Sequence, residues 1–429
     1  MILFAVTMRQ LLPYFCLFIL FSIHAQDTNT GQHGTLVITP EVVVGVLAEA
    51  NENFVEHGLQ TGLFVNFGWE QDYNPQEWAQ RLKGPKTGVS LALSNFGNLD
   101  SLGVGLSVMP FIEFNAFRSK RLKVHSAMGV SYFNKIYDPI TNPNNKGITT
   151  DLAWSFRIFM NYQILSGQKI DWRAGVGYFH HSNGHTRLPN QGLNSFLLSV
   201  SADIKDPVKT QRAKDEFVQP EFNRSIYDYV SLRTGLGMNV LGEAEVFNEN
   251  KGVYTIAGEY GKVINNTFRL GLGFYYRHYE HYYDYIKGNE SLVQGGQELA
   301  KLKDNAFFNA SALGLFATGE VLLNHIGIEA YIGANLHKPA YQIDWQMNEG
   351  WDNTPREIPP NWLLGELDSS YKKKRLISTR LGLKYYLIGT RKAPKHNIYG
   401  AFHINSNFGQ ADFTEFSLAY VYSFNFKEG

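Results

Sequence analysis

His180 and Ser182 stand two residues apart at the end of the stretch 168–182, QKIDWRAGVGYFHHS. Its even positions read Ile170, Trp172, Ala174, Val176, Tyr178, His180 and Ser182; its odd positions read Asp171, Arg173, Gly175, Gly177, Phe179 and His181. Successive side chains of a strand point to opposite faces. A strand here therefore sets a histidine and a serine side by side on its apolar face. Polar groups are costly in such a place unless they are paired or used. The stretch after the loop alternates too: Phe196, Leu198, Val200 and Ala202 share a face, and Asn194 has their parity. A hairpin thus gathers His180, Ser182 and Asn194 on one surface.

These residue types fit serine esterase chemistry. A serine hydroxyl needs an adjacent base to become a nucleophile. His180 can take the proton and later return it to the leaving alcohol. A partner on the other ring nitrogen fixes the tautomer, and the Asn194 amide oxygen suits that role, though without a carboxylate's charge. The intervening loop, Asn183-Gly-His-Thr-Arg-Leu-Pro-Asn-Gln-Gly192, offers donors for an oxyanion. The candidates are backbone N–H groups around Asn183, Gly184 and His185, and the Asn190 amide. His185 is expected to touch lipid phosphate rather than to act in catalysis. His181, on the opposite face, is expected to be structural.

The run His180-x-Ser182-Asn183-Gly184, followed by Pro189-Asn190-x-Gly192-x-Asn194, resembles the lipid A 3-O-deacylase (acyloxyacyl hydrolase-like) family of outer-membrane barrels. The resemblance is strongest over about 121–205 and weaker from 35 to 120. It implies a lipid-facing Ser–His–acid triad that cleaves an ester-linked acyl chain of lipid A. One departure stands out: the family usually has Glu where this chain has Asn194. His-x-Ser-Asn-Gly with Asn twelve residues after the serine also resembles outer membrane phospholipase A, which implies a Ser–His–Asn triad and calcium. The Pro-Asn-x-Gly stretch favours the deacylase and Asn194 the phospholipase. On the deacylase resemblance no cofactor is implied, and the partners are lipid A, or lipopolysaccharide, and outer-membrane lipids. A porin or adhesin that ignores Ser182 is the non-enzymatic alternative.

The rest of the chain must supply the elements that hold this hairpin. It has 429 residues, 39 basic and 39 acidic, a balance that gives nothing to recruit nucleic acid. Charged residues are 18% and aromatic residues 14%, with 24 Tyr and 30 Phe. Residues 1–25 read as a secretory signal peptide, with Met8 an alternative start and the only cysteine, Cys16, inside it. Without that segment there is no thiol, and no apolar run reaches 18 residues. What remains is period-two alternation. Strands are expected near 35–49, 59–70, 87–97, 101–117, 121–134, 151–163, 168–182 and 192–204. A second set is expected near 227–244, 251–262, 267–284, 306–319, 324–337, 376–388, 396–407 and 412–426.

The fold class is therefore all-β, a transmembrane antiparallel β-barrel of about 16 strands (14–16). Connections alternate between short and long, as in outer-membrane barrels, with 71–86 and 205–226 the long exceptions on the short side. The segment 205–226 divides the chain into a site-bearing half, 26–205, and C-terminal strands, 206–429. We favour one barrel completed by both, with two eight-stranded barrels as the alternative.

Three further features invite a functional reading. In the C-terminal hairpin, His403 and Ser406 are three apart, which puts them on opposite faces. The run Tyr275–Tyr285, YYRHYEHYYDY, suggests a metal only weakly, because period two separates His278 from His281; an aromatic girdle is the better reading. Lys372–Arg375 reads as a solvated charge run that could grip lipid phosphates.

Overall fold

The computed structural model describes residues 34–49, 53–117, 120–348 and 367–428. Residues 1–25, expected to be a signal peptide, and with them Cys16, lie outside the described residues. Among the described residues sixteen strands form. The first eight are β1 (Thr35–Ala48), β2 (Gln60–Glu70), β3 (Lys86–Asn95), β4 (Val104–Asn115), β5 (Leu122–Phe133), β6 (Leu152–Ser166), β7 (Ile170–Ser182) and β8 (Leu193–Lys205). The others are β9 (Ser225–Asn239), β10 (Lys251–Ile264), β11 (Phe268–Tyr279), β12 (Ser311–Leu323), β13 (Ile326–His337), β14 (Ile377–Tyr386), β15 (His396–Asn407) and β16 (Gln410–Glu428).

The favoured single barrel is corrected by the pairing. β8 closes on β1 through partners such as Val42↔Val200 and Ala48↔Asn194, and β16 closes on β9 through Phe416↔Leu236 and Tyr420↔Leu232. Two closed eight-stranded antiparallel barrels result. Alternation tells which face a residue takes but not which edge it pairs with, so one large ring and two small ones share the same pattern. Gln26–Asn183 together with Pro189–Phe222 form one compact unit; Asn223–Gly429 together with Gly184–Leu188 fall in the other.

In the first barrel the outer face is apolar. Trp172, Val176, Phe196, Leu198 and Val200 are all exposed there. The interior is layered. At the end where β7 begins, Lys86 bonds Glu113 and Asp203, each at 3.0 Å, and Arg173 meets Glu113 at 3.0 Å. A middle layer of Val43, Phe64, Met109, Phe111, Phe159, Phe179 and Leu197 is buried, with the Arg157 guanidinium stacked over Phe64 and Phe159. Apolar outside and charged inside is the construction of an outer-membrane barrel. Eight strands leave just enough interior for side chains to fill.

The two long connections that broke the length rule have a structural explanation. In the β2–β3 connection a short helix forms over Glu77–Arg81, and in the β8–β9 connection a helix forms over Pro207–Glu216. The latter is started by Asp206, whose carboxylate accepts from Val208 and Lys209 N–H at 3.1 and 3.2 Å, with Pro207 in the first turn. The two connections meet: Tyr73 packs edge-on against Phe217, and Arg81 donates to the Phe222 carbonyl at 3.3 Å.

The second barrel is filled by charge along its length. Lys384 bonds Glu320 at 2.8 Å and also Glu329; Arg380 pairs with Glu329, Arg233 with Glu415, and Lys338 with Asp412 at 2.9 Å. The strand expected over 267–284 stops at Tyr279, and Glu280–Lys287 is helical. His281, Tyr282, Tyr285 and Ile286 are its buried side chains. Tyr282, Tyr285 and Ile286 pack with Val293, Leu299, Leu302 and Ile343 into an apolar cluster beside Val253 and Phe413. That spacing is a helical one.

Candidate functional site

The site is built by the β7–β8 hairpin. The pairing places His180 directly opposite Asn194 and Tyr178 opposite Phe196, while His181 faces Leu193 on the inner side. Along the membrane-facing stretch, outward Trp172, Val176, Phe196, Leu198 and Val200 are exposed while inward Phe179, His181, Leu197 and Ser199 are buried. His180 and Asn194 are half-buried on the outer face, and Ser182, at 8% exposure, ends the same row.

The His180 Nδ1 lies 2.8 Å from Asn194 Oδ1. An amide oxygen only accepts, so this contact puts the proton on Nδ1 and leaves Nε2 as the base. The Tyr178 hydroxyl also donates to Asn194 Oδ1, at 2.5 Å, and lies 3.4 Å from His180 Nδ1. Its ring is close to parallel with the imidazole, 12° apart at 6.2 Å. Tyr178 did not stand out in the sequence, although it shares the parity of His180; at a strand end a tyrosine reads as girdle.

Asn190 sits on the other side of the serine. Its Nδ2 donates to Ser182 Oγ at 2.9 Å, and its Oδ1 accepts the Asn183 N–H at 3.1 Å. The backbone contact fixes which end of the amide is oxygen, so the NH₂ is the end nearer Ser182 Oγ, with Oδ1 3.3 Å from the same hydroxyl. The Asn183 N–H therefore orients Asn190. Gly184 and His185 both take left-handed backbone, φ 69° each, and both are buried.

The loop is held from outside the hairpin as well. Gly192 N donates to Gly147 O and Gln191 N to Lys146 O, each at 3.1 Å, and the Thr149 hydroxyl donates to Pro189 O. Gly192 has φ +73°, and a Cβ there would fall 2.9 Å from His180 Cε1 and 2.8 Å from His181 O. Any side chain at this position would press on the imidazole.

On the inner face, Ser107, Ser131, Ser155 and His181 form a hydrogen-bonded row across β4 to β7, with steps of 2.5, 2.5 and 2.9 Å. His181 is fully buried among Phe96, Phe133 and Phe179. It pins the inner side of the strand whose outer side carries His180. A cavity of about 340 Å³ lies among the outer loops, lined by Asn53, Glu56, Ser101, Asn142 and Asn144, and contains none of the site residues.

The structure places the other three features. His403 is buried in the second barrel 3.5 Å from Glu329, while Ser406 bonds Thr379 at 2.6 Å, so the pair is not brought together. His278 contacts Ser311 at 3.1 Å, and among the described residues no three His, Cys, Asp or Glu side chains form a metal-ligating group. Lys372–Arg375 falls in a helix over Leu367–Leu376.

This hairpin lies in a segment with known relatives. Residues 59–203 match the family model of lipid A 3-O-deacylase, PagL. The match covers seven strands of the first barrel, β2 to β8, and includes every residue of the cluster. No curated protein matches the chain. Among solved structures, that of the outer membrane enzyme PagL covers 38% of this chain and 97% of its own, at 18% identity and a TM-score of 0.29. Pseudomonas aeruginosa OccK5 covers 91% of this chain and 97% of its own, at 9% identity and a TM-score of 0.20. A mutant Rh. blastica porin covers 91% and 99%, at 11% identity and a TM-score of 0.18. At these scores the structural likenesses carry no argument about this chain. The PagL family match is a matter of sequence, and it falls on the barrel that carries the cluster.

Proposed function

We propose that this protein is an outer-membrane serine esterase that hydrolyses an ester-linked acyl chain of lipid A, at the 3-O position. One observation carries the reading: His180 Nδ1 is bonded to Asn194 on a lipid-facing surface, inside the segment that matches the deacylase family. Ser182 is the nucleophile, His180 the base and Asn194 the orienter. The Ser182 hydroxyl attacks the ester carbonyl as its proton passes to His180 Nε2. The tetrahedral oxyanion takes the Asn190 NH₂ as donor. Collapse expels the sugar hydroxyl, protonated by His180, and water then repeats the cycle to free the fatty acid. The first-barrel half beginning at residue 26 is the catalytic one on this reading, and lipid A reaches it laterally, through the membrane.

Phospholipase A is the second reading, favoured by Asn194 itself, since an amide orienter is what that resemblance implies. It uses the same residues and calcium, and differs in head group. A porin role has less support, because buried side chains fill the interior of each barrel, ion pairs and an apolar layer in the first and ion pairs in the second. The test is to incubate refolded wild-type and Ser182→Ala protein with mixed lipid A and phospholipid, then weigh the products. Loss of a hydroxyacyl chain from lipid A with the wild type alone is the expected result. Lysophospholipid instead selects the phospholipase, and identical products from both proteins overturn the serine mechanism.

A further inference from the structure

Asn194 poses a problem that a glutamate would not. The two ends of an amide are nearly the same shape but opposite in hydrogen bonding. With Oδ1 toward His180, the imidazole carries its proton on Nδ1 and Nε2 is free to accept from serine. With Nδ2 toward His180, Nδ1 must accept, the proton moves to Nε2, and the base is lost. A carboxylate has two acceptor oxygens and cannot make this error.

The Tyr178 hydroxyl meets the same atom. It donates to Asn194 Oδ1 at 2.5 Å; its other polar neighbour, His180 Nδ1, is 3.4 Å away, near the limit of hydrogen-bond reach. If the amide turned over, Nδ2 would face the phenol. The phenolic proton would then lose its short acceptor on a half-buried, lipid-facing surface, and a stranded donor there is costly. We propose that Tyr178 is a positioning residue that locks the Asn194 amide with its oxygen toward His180, so that an asparagine serves where the resemblance leads one to expect an acid. This rests on the triad reading above. The lock acts through Asn194 and His180; Tyr178 itself need not touch the substrate.

The lock makes Tyr178 matter only while position 194 is an amide. The experiment is a double-mutant cycle of Tyr178→Phe and Asn194→Glu in the full-length refolded protein, with lipid A as substrate and Ser182→Ala as the control. Tyr178→Phe keeps the ring and its packing. In the asparagine background it should lower kcat about tenfold with little change in KM, the scale of one lost hydrogen bond to a site that needs it. In the glutamate background the same change should cost much less, whatever the activity of Asn194→Glu alone.

A second readout is free of turnover. Imidazole ¹⁵N spectra, with the His180 signals assigned by their loss in His180→Gln, should show the Nδ1–H tautomer in the wild type and a mixture in Tyr178→Phe. Equal losses in both backgrounds, or an unchanged tautomer, overturn the lock and leave Tyr178 as packing. If Ser182→Ala keeps full activity, the triad reading itself fails, and that result is distinct from either outcome for Tyr178.

Discussion

The two barrels have the same strand number and the same inside-out chemistry, yet they treat histidine differently. In the first, His180 and Ser182 are two apart and both face outward. In the second, His403 and Ser406 are three apart, so the histidine is buried against Glu329 and the serine bonds Thr379. One residue of spacing thus separates the arrangement proposed to react from a structural one. The second barrel also holds a closer copy. Tyr276 and His278 repeat the Tyr-x-His spacing of Tyr178 and His180, and His278 lies directly opposite Ser311, as His180 lies opposite Asn194. But position 280 is a glutamate that begins a helix, where the first barrel has Ser182 at the end of its strand. What distinguishes the barrels is the residue two beyond the histidine.

The sharpest way to break this comparison is at the nucleophile. Ser182→Ala should lower acyl release by about a thousandfold or more, as loss of a triad serine does, while heat-modifiable mobility on a gel shows a folded barrel. A folded variant with undiminished turnover would remove the distinction between the barrels.

Next in size is Gly192→Ala. Its Cβ would press on His180 Cε1 from a left-handed backbone position. Displacement of a catalytic group by a fraction of an ångström to one ångström costs up to about a hundredfold in rate, so a fall in kcat approaching that is expected, with only a modest loss of stability. Product formation under saturating lipid A checks it, and an unchanged kcat would mean that the loop yields and His180 does not need this clearance.

These expectations divide along the line of what was legible in the sequence. The faces were legible, because alternation reports parity directly: His180, Ser182 and Asn194 share a surface as their numbers require. The closure of the barrels was not, because β8 meets β1 through a register set by the whole sheet, and nothing local in 192–205 says that its free edge finds residue 42 rather than residue 230. Tyr178 was hidden by its type, since a girdle tyrosine and a hydrogen-bonding tyrosine look alike until the Asn194 oxygen is placed beside it. The helix at 280–287 was misread because its tyrosines and histidine suit a strand, although their buried members fall at helical spacing.

A stability experiment sharpens the comparison from the other side. Arg380 is buried with Glu329 and Glu415, and removing it takes one of two cations from each, leaving Glu329 with Lys384 and Glu415 with Arg233. Breaking a buried pair in this way typically costs about 3–5 kcal/mol. Arg380→Ala should therefore lower the urea midpoint of the second barrel's unfolding, while the folded protein releases acyl chains at the wild-type rate. A matching loss of turnover in protein that is still folded would mean that the charge network of the second barrel acts on the chemistry of the first.

The smallest effect expected is at Ser311, and it is the most discriminating test of the near-copy. Its hydroxyl is bonded on three sides. It donates to the Phe307 carbonyl at 2.9 Å, and it lies 2.8 Å from the Tyr276 hydroxyl and 3.1 Å from His278 Nδ1. With its proton committed to a backbone carbonyl and the side chain 2% exposed, it accepts from His278 rather than giving up a proton to it. That is the reverse of what a nucleophile requires. Ser311→Ala should leave lipid A turnover unchanged, and the variant should lose about 1–3 kcal/mol of stability from the stranded phenol and imidazole donors. A fall in turnover comparable to that of Ser182→Ala would place a second reacting serine in this chain and dissolve the contrast between its two barrels.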